Sequence, residues 1–213
     1  MKYRTLVAAF AVVAFLTVSA SRAAMKPAPA PAPATAAELA FVAKDSALLE
    51  GLYPTTAAAK MHGYIPLSAH FDSSNTQLYT DLRFDGVTLA HPNFLWYDRA
   101  GHLVGVDYEL RKSAYAKTPH LAMYPVQASR WSSIGQHVHF GYHLRGKLKY
   151  GEGRATPPLR TEHITAAELR AAKLLPAGAS LVWASFHPAA WDLAMWTVPN
   201  SKGPFADLNP AVK

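Results

Sequence analysis

Residues 135–143 read GQHVHFGYH, and how this stretch is read decides the fold. In an extended strand successive side chains alternate faces. His137, His139, Gly141 and His143 would then share one face, and Val138, Phe140, Tyr142 and Leu144 the other. An amphipathic helix needs apolar residues at three- and four-residue steps, whereas here they recur at every second position over four repeats. The stretch is therefore expected to be a two-faced β-strand. Carried on to Tyr150, the same strand would set Arg145, Lys147 and Lys149 on the histidine face, with Leu148 and Tyr150 opposite.

The neighbouring segments also read as strands. Residues 94–97 (FLWY) and 103–110 (LVGVDYEL) flank Asp98-Arg99-Ala100-Gly101, a link of hairpin length and composition. In the second of them Val104, Val106, Tyr108 and Leu110 share one face and Asp107 and Glu109 the other. Residues 180–187 and 192–198 read as a strand pair joined around His187 to Trp191, and 62–71 and 77–90 as extended chain. Two capping boxes, Thr35-Ala-Ala-Glu38 and Thr165-Ala-Ala-Glu168, each announce a short helix. The Thr hydroxyl accepts from the third helical N–H, and the Glu reaches back to the cap N–H. After the first box the apolar positions are Leu39, Val42, Leu48 and Leu49. The expected fold is mainly β, an antiparallel sandwich or barrel with two short peripheral helices.

The chain ends are of a different character. Lys2 and Arg4 precede an apolar run from Leu6 to Val18, and Ser21-Arg22-Ala23 offers small residues at cleavage spacing, so residues 1–23 read as a signal peptide cut after Ala23. A spanning helix needs about 20 apolar residues, more than this run supplies, and no later segment has that length. Residues 24–35 are a Pro/Ala-rich linker. Its prolines lack the N–H of a ladder or helix and favour an extended, semi-rigid spacer, or else a tail without a role. Residues 36–213 have the size of a single β-rich domain. The expected location is periplasmic or secreted.

Composition excludes several classes. There is no cysteine, hence no disulfide, no thiolate nucleophile, no zinc–thiolate site and no acyl anchor. Cleavage would leave 18 of the 21 basic residues against all 14 acidic ones, a net charge near +4 instead of +7. That excess is too small to indicate nucleic acid as a partner. A small ligand or a cell-envelope component is expected instead, with no integral membrane span. No G-x-S-x-G elbow, P-loop or HExxH occurs, and Gly151-Glu-Gly153-Arg154 lacks the third glycine and following helix of a nucleotide loop. No particular reaction is legible.

The chemistry-bearing residues are the histidines. On a strand, i and i+2 side chains stand about 7 Å apart at Cα, close enough for His137 and His139 to converge on one ion such as zinc, copper, iron or manganese. His143, about 13 Å beyond His139, would need a bend, for which Gly141 could serve as a bulge. Further ligands could come from His187, Asp107 or Glu109. The other reading of this face is a solvated strand. Arg145, Lys147 and Lys149 form a candidate anion-binding strip, or a guard against edge-to-edge pairing. Asp107 and Glu109 are spaced like an acid/base pair, but alternation alone also produces such a pair on a solvated face, which is the default expectation. Trp183, Trp191 and Trp196 are expected in the core, with a stacking platform for ligands as the alternative.

His137-Val-His139, a further polar residue, then Pro176-Ala-Gly178 and His187 resemble the two-part metal signature of cupins. In cupins a Glu usually stands where His143 stands, and the last histidine follows Pro-x-Gly more closely than His187 does. The resemblance implies a cupin-like metalloenzyme and carries over most directly to His137 and His139. Separately, Gly101-His-Leu-Val-Gly-Val-Asp-Tyr108 and the closing segment from Trp196 to Pro210 are similar to the G-x-L-V-G-V-E-Y strand and the terminal W…N-P-x-G-x-F…N-P segment of a family of exported bacterial proteins, with Pro199-Asn200-Ser201 replacing the first Asn-Pro. That likeness implies an exported single domain and no specific reaction. Three functions follow: an exported protein binding a transition metal or small ligand on the histidine face, a non-enzymatic cell-envelope structural or interaction module, or a cupin-like metalloenzyme.

Overall fold

The computed structural model describes residues 32–67, 71–72, 74–81, 83, 87–155, 159 and 163–213. The expected signal peptide and linker residues 24–31 lie outside the described residues, as do parts of the stretches 62–71 and 77–90. In chain order the elements are α1 (Ala36–Leu52), α2 (Thr56–Met61), β1 (Ile65–Pro66), β2 (Gln77–Thr80), β3 (Phe94–Tyr97), β4 (Leu103–Arg111), β5 (Ser132–Ile134), β6 (His137–Leu144), β7 (Lys147–Gly153), α3 (Ala166–Ala171), β8 (Ser180–His187) and β9 (Ala190–Trp196). The strands form two antiparallel sheets, one of six strands in the order β1-β2-β3-β4-β9-β5 and one of three in the order β7-β6-β8. The fold is mainly β and, among the described residues, contains no closed barrel.

The six-stranded sheet is built around β4, whose residues are buried on both faces from Leu103 to Leu110. One face, carrying Val106, Tyr108 and Leu110 with Leu193 and Met195 of β9, packs in a cluster with Phe41 and Leu49 of α1. Both capping boxes are present, but α1 runs for 17 residues and is not short; α2, capped by Thr55, was not foreseen. The inward residues of α1 are Glu38, Phe41, Asp45 and Leu49, whereas Leu39 and Leu48 are exposed. Two of the four inward positions are carboxylates, and this is why an apolar pattern picks the wrong stripe. Tyr108 Oη donates to Asp45 Oδ2 at 2.8 Å, and burial pushes the Asp45 carboxyl up to about 7 against that hydrogen bond. Glu38 accepts from Arg130 Nε at 2.9 Å and from the Gln127 N–H at 3.0 Å, tying the start of α1 to the segment before β5.

The long histidine strand expected over 137–150 is two strands. Arg145 (φ 51°) and Gly146 (φ 74°) form a two-residue turn between β6 and β7, with Leu144 opposite Lys147. Paired positive φ values match the twist of a tight hairpin, and glycine adopts them without strain. A two-residue turn shifts parity, so odd-numbered residues of β6 share a face with even-numbered residues of β7. Tyr150 and Glu152 therefore join the histidine face, and Lys147 and Lys149 leave it.

The expected pairing of 180–187 with 192–198 also fails. β8 pairs with β6, β9 pairs with β4 and β5, and only Pro188 and Ala189 separate them. The chain thus crosses from one sheet to the other at a proline, which has no N–H to continue a ladder. The apolar face of the three-stranded sheet, Val138 and Phe140, is covered by Leu169 of α3 with Leu175 and Ala179. The C-terminal segment folds back on the large sheet. Trp196 Nε1 donates to the Ala206 carbonyl at 2.6 Å, Asn209 Nδ2 to the Pro199 carbonyl at 3.1 Å, and Val212 packs with Val104 and Trp196. Among the described residues no helix is long and apolar enough to cross a membrane.

Candidate metal centre

Opposite residues of an antiparallel pair point to the same face, and the register of β6 with β8 sets His137 against His187, His139 against Ser185 and Gly141 against Trp183. Cross-strand pairing thus adds His187 to the two histidines that alternation provides. The His137 and His187 rings stack with centroids 4.3 Å apart, and the His139 ring stands edge-on to both, at 4.5 and 5.4 Å. One nitrogen from each of the three lies within 4.8 Å of the others. An ion bound at about 2.0–2.1 Å to each would hold tetrahedral ligand nitrogens about 3.4 Å apart. The group needs only a modest closure to reach that geometry.

Each ring is oriented from outside the group. Gly135 O lies 2.9 Å from His137 Nδ1 and holds the ring by that nitrogen. His139 Nδ1 is bonded to Tyr150 Oη, and Tyr150 donates to Glu152 Oε2 at 3.0 Å. With Nδ1 so held, His139 Nε2 is buried without a hydrogen-bond partner. A buried ring nitrogen left bare costs stability in the apo protein and suits a cation. His187 is bonded at both nitrogens, Nδ1 to Pro188 O at 2.8 Å and Nε2 to Glu109 Oε2 at 2.6 Å. Both partners are acceptors, so both nitrogens donate and the ring carries a proton that a metal would displace.

Titration follows from burial and neighbours. Burial lowers the His139 pKa to about 3, with His137 and His187 adding in the same direction. His137 is lowered too, chiefly by burial and against its hydrogen bond to Gly135. For His187 burial also opposes the charge, but the hydrogen bond and charge of Glu109 outweigh it and the net shift is upward. His137 and His139 are therefore neutral at pH 7, the form in which imidazole binds a metal.

The histidine face looks across a cavity of about 680 Å³ at the second face of the six-stranded sheet. That wall carries Asp107 and Glu109 of β4, Asp192 of β9 and the apolar side chains of Leu78, Phe94 and Ile134. Asp107 and Glu109 are buried, at 9 % exposure each, which overturns the expectation of a solvated face. The reason is that both faces of β4 are covered, one by α1 and one by the smaller sheet. Trp96 Nε1 donates to Asp107 Oδ2 at 2.7 Å, and Ser132 Oγ to Asp192 Oδ2 at 3.2 Å. Burial raises the Asp107 carboxyl well above the usual carboxylate range, the charge of Asp192 adding to it, and burial with the nearby Glu109 pushes Asp192 up to about 7.

Other expected residues fall elsewhere. His143 is exposed at the far end of β6 opposite Ser180 and Leu148 and does not join the three histidines. The irregularity next to Gly141 is an extra residue on β8, Val182, so the bulge belongs to the partner strand. Gly141 instead leaves room for the Trp183 indole, which a Cβ there would strike. Trp196 is in the core and Trp191 packs against it, but Trp183 is half-buried on the histidine face near Tyr150, outside the core clusters. Arg145, Lys147 and Lys149 are exposed around the β6–β7 hairpin, with both lysines on the face away from the histidines, so they make no strip with them. Tyr150, Glu152 and Asp192 were not foreseen at the site. An x-Gly dipeptide between two alternating runs, here Arg145-Gly146, is the signal that would have brought Tyr150 and Glu152 onto the histidine face. No family model, curated protein or solved structure matches the chain.

Proposed function

We propose that the chain is an exported, β-rich protein that holds a divalent transition metal on His137, His139 and His187, with Glu109 as the neighbouring carboxylate. The observation that carries this reading is His139 Nε2, buried, without a partner, and grouped with two other imidazole nitrogens within 4.8 Å. An all-imidazole set suits zinc, copper, iron or manganese. The test is elemental analysis of protein purified from the periplasm without an affinity tag, beside the His137→Ala, His139→Ala double variant. The expected result is a stoichiometric metal that the variant loses. A metal-free wild type whose melting does not shift with zinc, copper or manganese overturns the reading.

Catalysis is the second reading. A cupin-like metalloenzyme needs a third ligand converging with the strand histidines and a pocket beside them, and the position of His187 and the 680 Å³ cavity support it. Turnover of an organic substrate by metal-loaded protein, and none by metal-free protein, is the result that would carry it.

A further inference from the structure

The two sheets do not share an apolar core. Val106, Tyr108 and Leu193 of the six-stranded sheet cluster with α1, and Val138 and Phe140 of the three-stranded sheet cluster with α3. Among the described residues no cluster of buried apolar side chains includes both sheets. Where the sheets meet at the histidines the contact is polar. Glu109 Oε2 of β4 lies 2.6 Å from His187 Nε2 of β8, and the Phe94 ring of β3 stacks on His187 with centroids 6.4 Å apart. A buried ion pair of this kind is weak support, because desolvating both charges offsets most of their attraction.

The hydrogen positions identify which nitrogens face an ion. Gly135 O and Pro188 O can only accept, so Nδ1 of His137 and Nδ1 of His187 carry the hydrogens in those bonds, at 2.9 and 2.8 Å. Tyr150 gives its hydroxyl hydrogen to Glu152 Oε2 and therefore accepts from His139 Nδ1. All three rings are thus held at Nδ1, which leaves the lone pair of each neutral imidazole on Nε2. His139 Nε2 is the buried atom without a partner, and His187 Nε2 is the atom that Glu109 contacts. The charge of Glu109 also acts on His137. An ion on His187 Nε2 takes the place of the proton between that nitrogen and Glu109 Oε2. Ligand atoms of one tetrahedral ion stand about 3.4 Å apart, so a carboxylate oxygen now 2.6 Å from the nitrogen enters the same shell by withdrawing less than about 1 Å.

We infer that the metal is a clasp between the two sheets, bound by Nε2 of His137, His139 and His187 on one sheet and by the Glu109 carboxylate on the other. This rests on the metal reading above and adds the fourth ligand and the role of the ion. Exchanging the shared proton for a divalent ion turns a weak polar contact into bonds to both sheets. Four side chains leave a tetrahedral zinc no open position, which is the arrangement of structural sites.

The test uses zinc and the full chain. Native-state hydrogen exchange under mild denaturant is measured on metal-free and zinc-saturated protein, for wild type and Glu109→Gln, and zinc affinity is measured by competition with a chromophoric chelator. In the wild type, zinc is expected to slow exchange on both sides of the cavity, in β6 and β8 and also in β4 around Glu109. In zinc-saturated Glu109→Gln the slowing is confined to β6 and β8, and zinc binds about tenfold or more weakly. An unchanged affinity overturns the clasp alone. So does zinc-dependent protection of β4 that persists in the variant, because Glu109 then only orients His187. If Glu109→Gln does not fold, anomalous scattering from crystals of the zinc-loaded wild type decides. An ion within about 2.2 Å of a Glu109 carboxylate oxygen supports the clasp, and a Glu109 still bonded to His187 overturns it. A chain that takes up no zinc overturns this inference, and one that takes up no copper, iron or manganese either overturns the metal centre as well.

Discussion

Glu38 ties the first turn of α1 to the segment before β5, and changing it to Gln tests how that junction responds to pH. The residue is 1 % exposed, and its carboxylate receives Arg130 Nε at 2.9 Å, the Gln127 N–H at 3.0 Å and the Thr35 N–H at 2.8 Å. Burial alone would raise its pKa, but these donors and the Arg130 charge outweigh it and bring the value down to about 2 from 4.5. Because the folded value is depressed, the contribution is fully present above about pH 4.5 and is lost as pH falls through about 2. A shift of this size corresponds to about 3.4 kcal/mol at neutral pH, at 1.36 kcal/mol per unit, and about 1.4 kcal/mol of it remains at pH 3. Glu38→Gln resembles the protonated side chain. The stability difference between wild type and variant should therefore shrink by about 2 kcal/mol from pH 7 to pH 3. Urea denaturation of both proteins across that range, followed by near-ultraviolet circular dichroism, measures it. A difference that stays constant with pH refutes the argument, because Glu38 would then act through packing and not through its charge.

Three further outcomes follow from the same geometry. Asp45, pushed up to about 7 by burial, is neutral in the fold at low pH and a buried charge above that value, so its contribution declines as pH rises from 3.8 to 7. Asp45→Asn should then be about 2 kcal/mol more stable than wild type at pH 8, the relief of the buried charge less the cost of an unpartnered amide, and should lose that advantage below pH 4; thermal melts at both values check it. Tyr150→Phe removes the partner of His139 Nδ1 and should weaken metal binding 10- to 100-fold without unfolding the protein, read by competition with a chromophoric chelator. Gly105→Ala sets a Cβ against the Trp96 ring, which lies across β4 to reach Asp107, and should cost about 1–3 kcal/mol in chemical denaturation; an unchanged midpoint would mean that the indole has another place to go.

The features legible in the residues alone are local along the chain. The alternation in β6 and β4 assigns strands because neighbouring Cβ atoms point to opposite faces wherever the backbone is extended. The Thr35 and Thr165 boxes mark helix starts because a cap is satisfied within three residues. His137 and His139 share a face for the same local reason. Which faces meet depends on turns, register and sheet packing. The turn at Arg145-Gly146 exchanged parity between β6 and β7, removing Lys147 and Lys149 from the histidine face and adding Tyr150 and Glu152. Register with β8 placed His187 against His137, and the break at Pro188 sent the chain into the other sheet, where Asp192 sits beside Glu109. Burial of Asp107, Glu109 and Asp192 arises because the two sheets face one another across the cavity, and a carboxylate's place in a strand pattern says nothing of what covers its face. Pairing register and sheet-to-sheet packing join residues as far apart as Glu109 and His187, and no periodicity along the chain encodes such a distance.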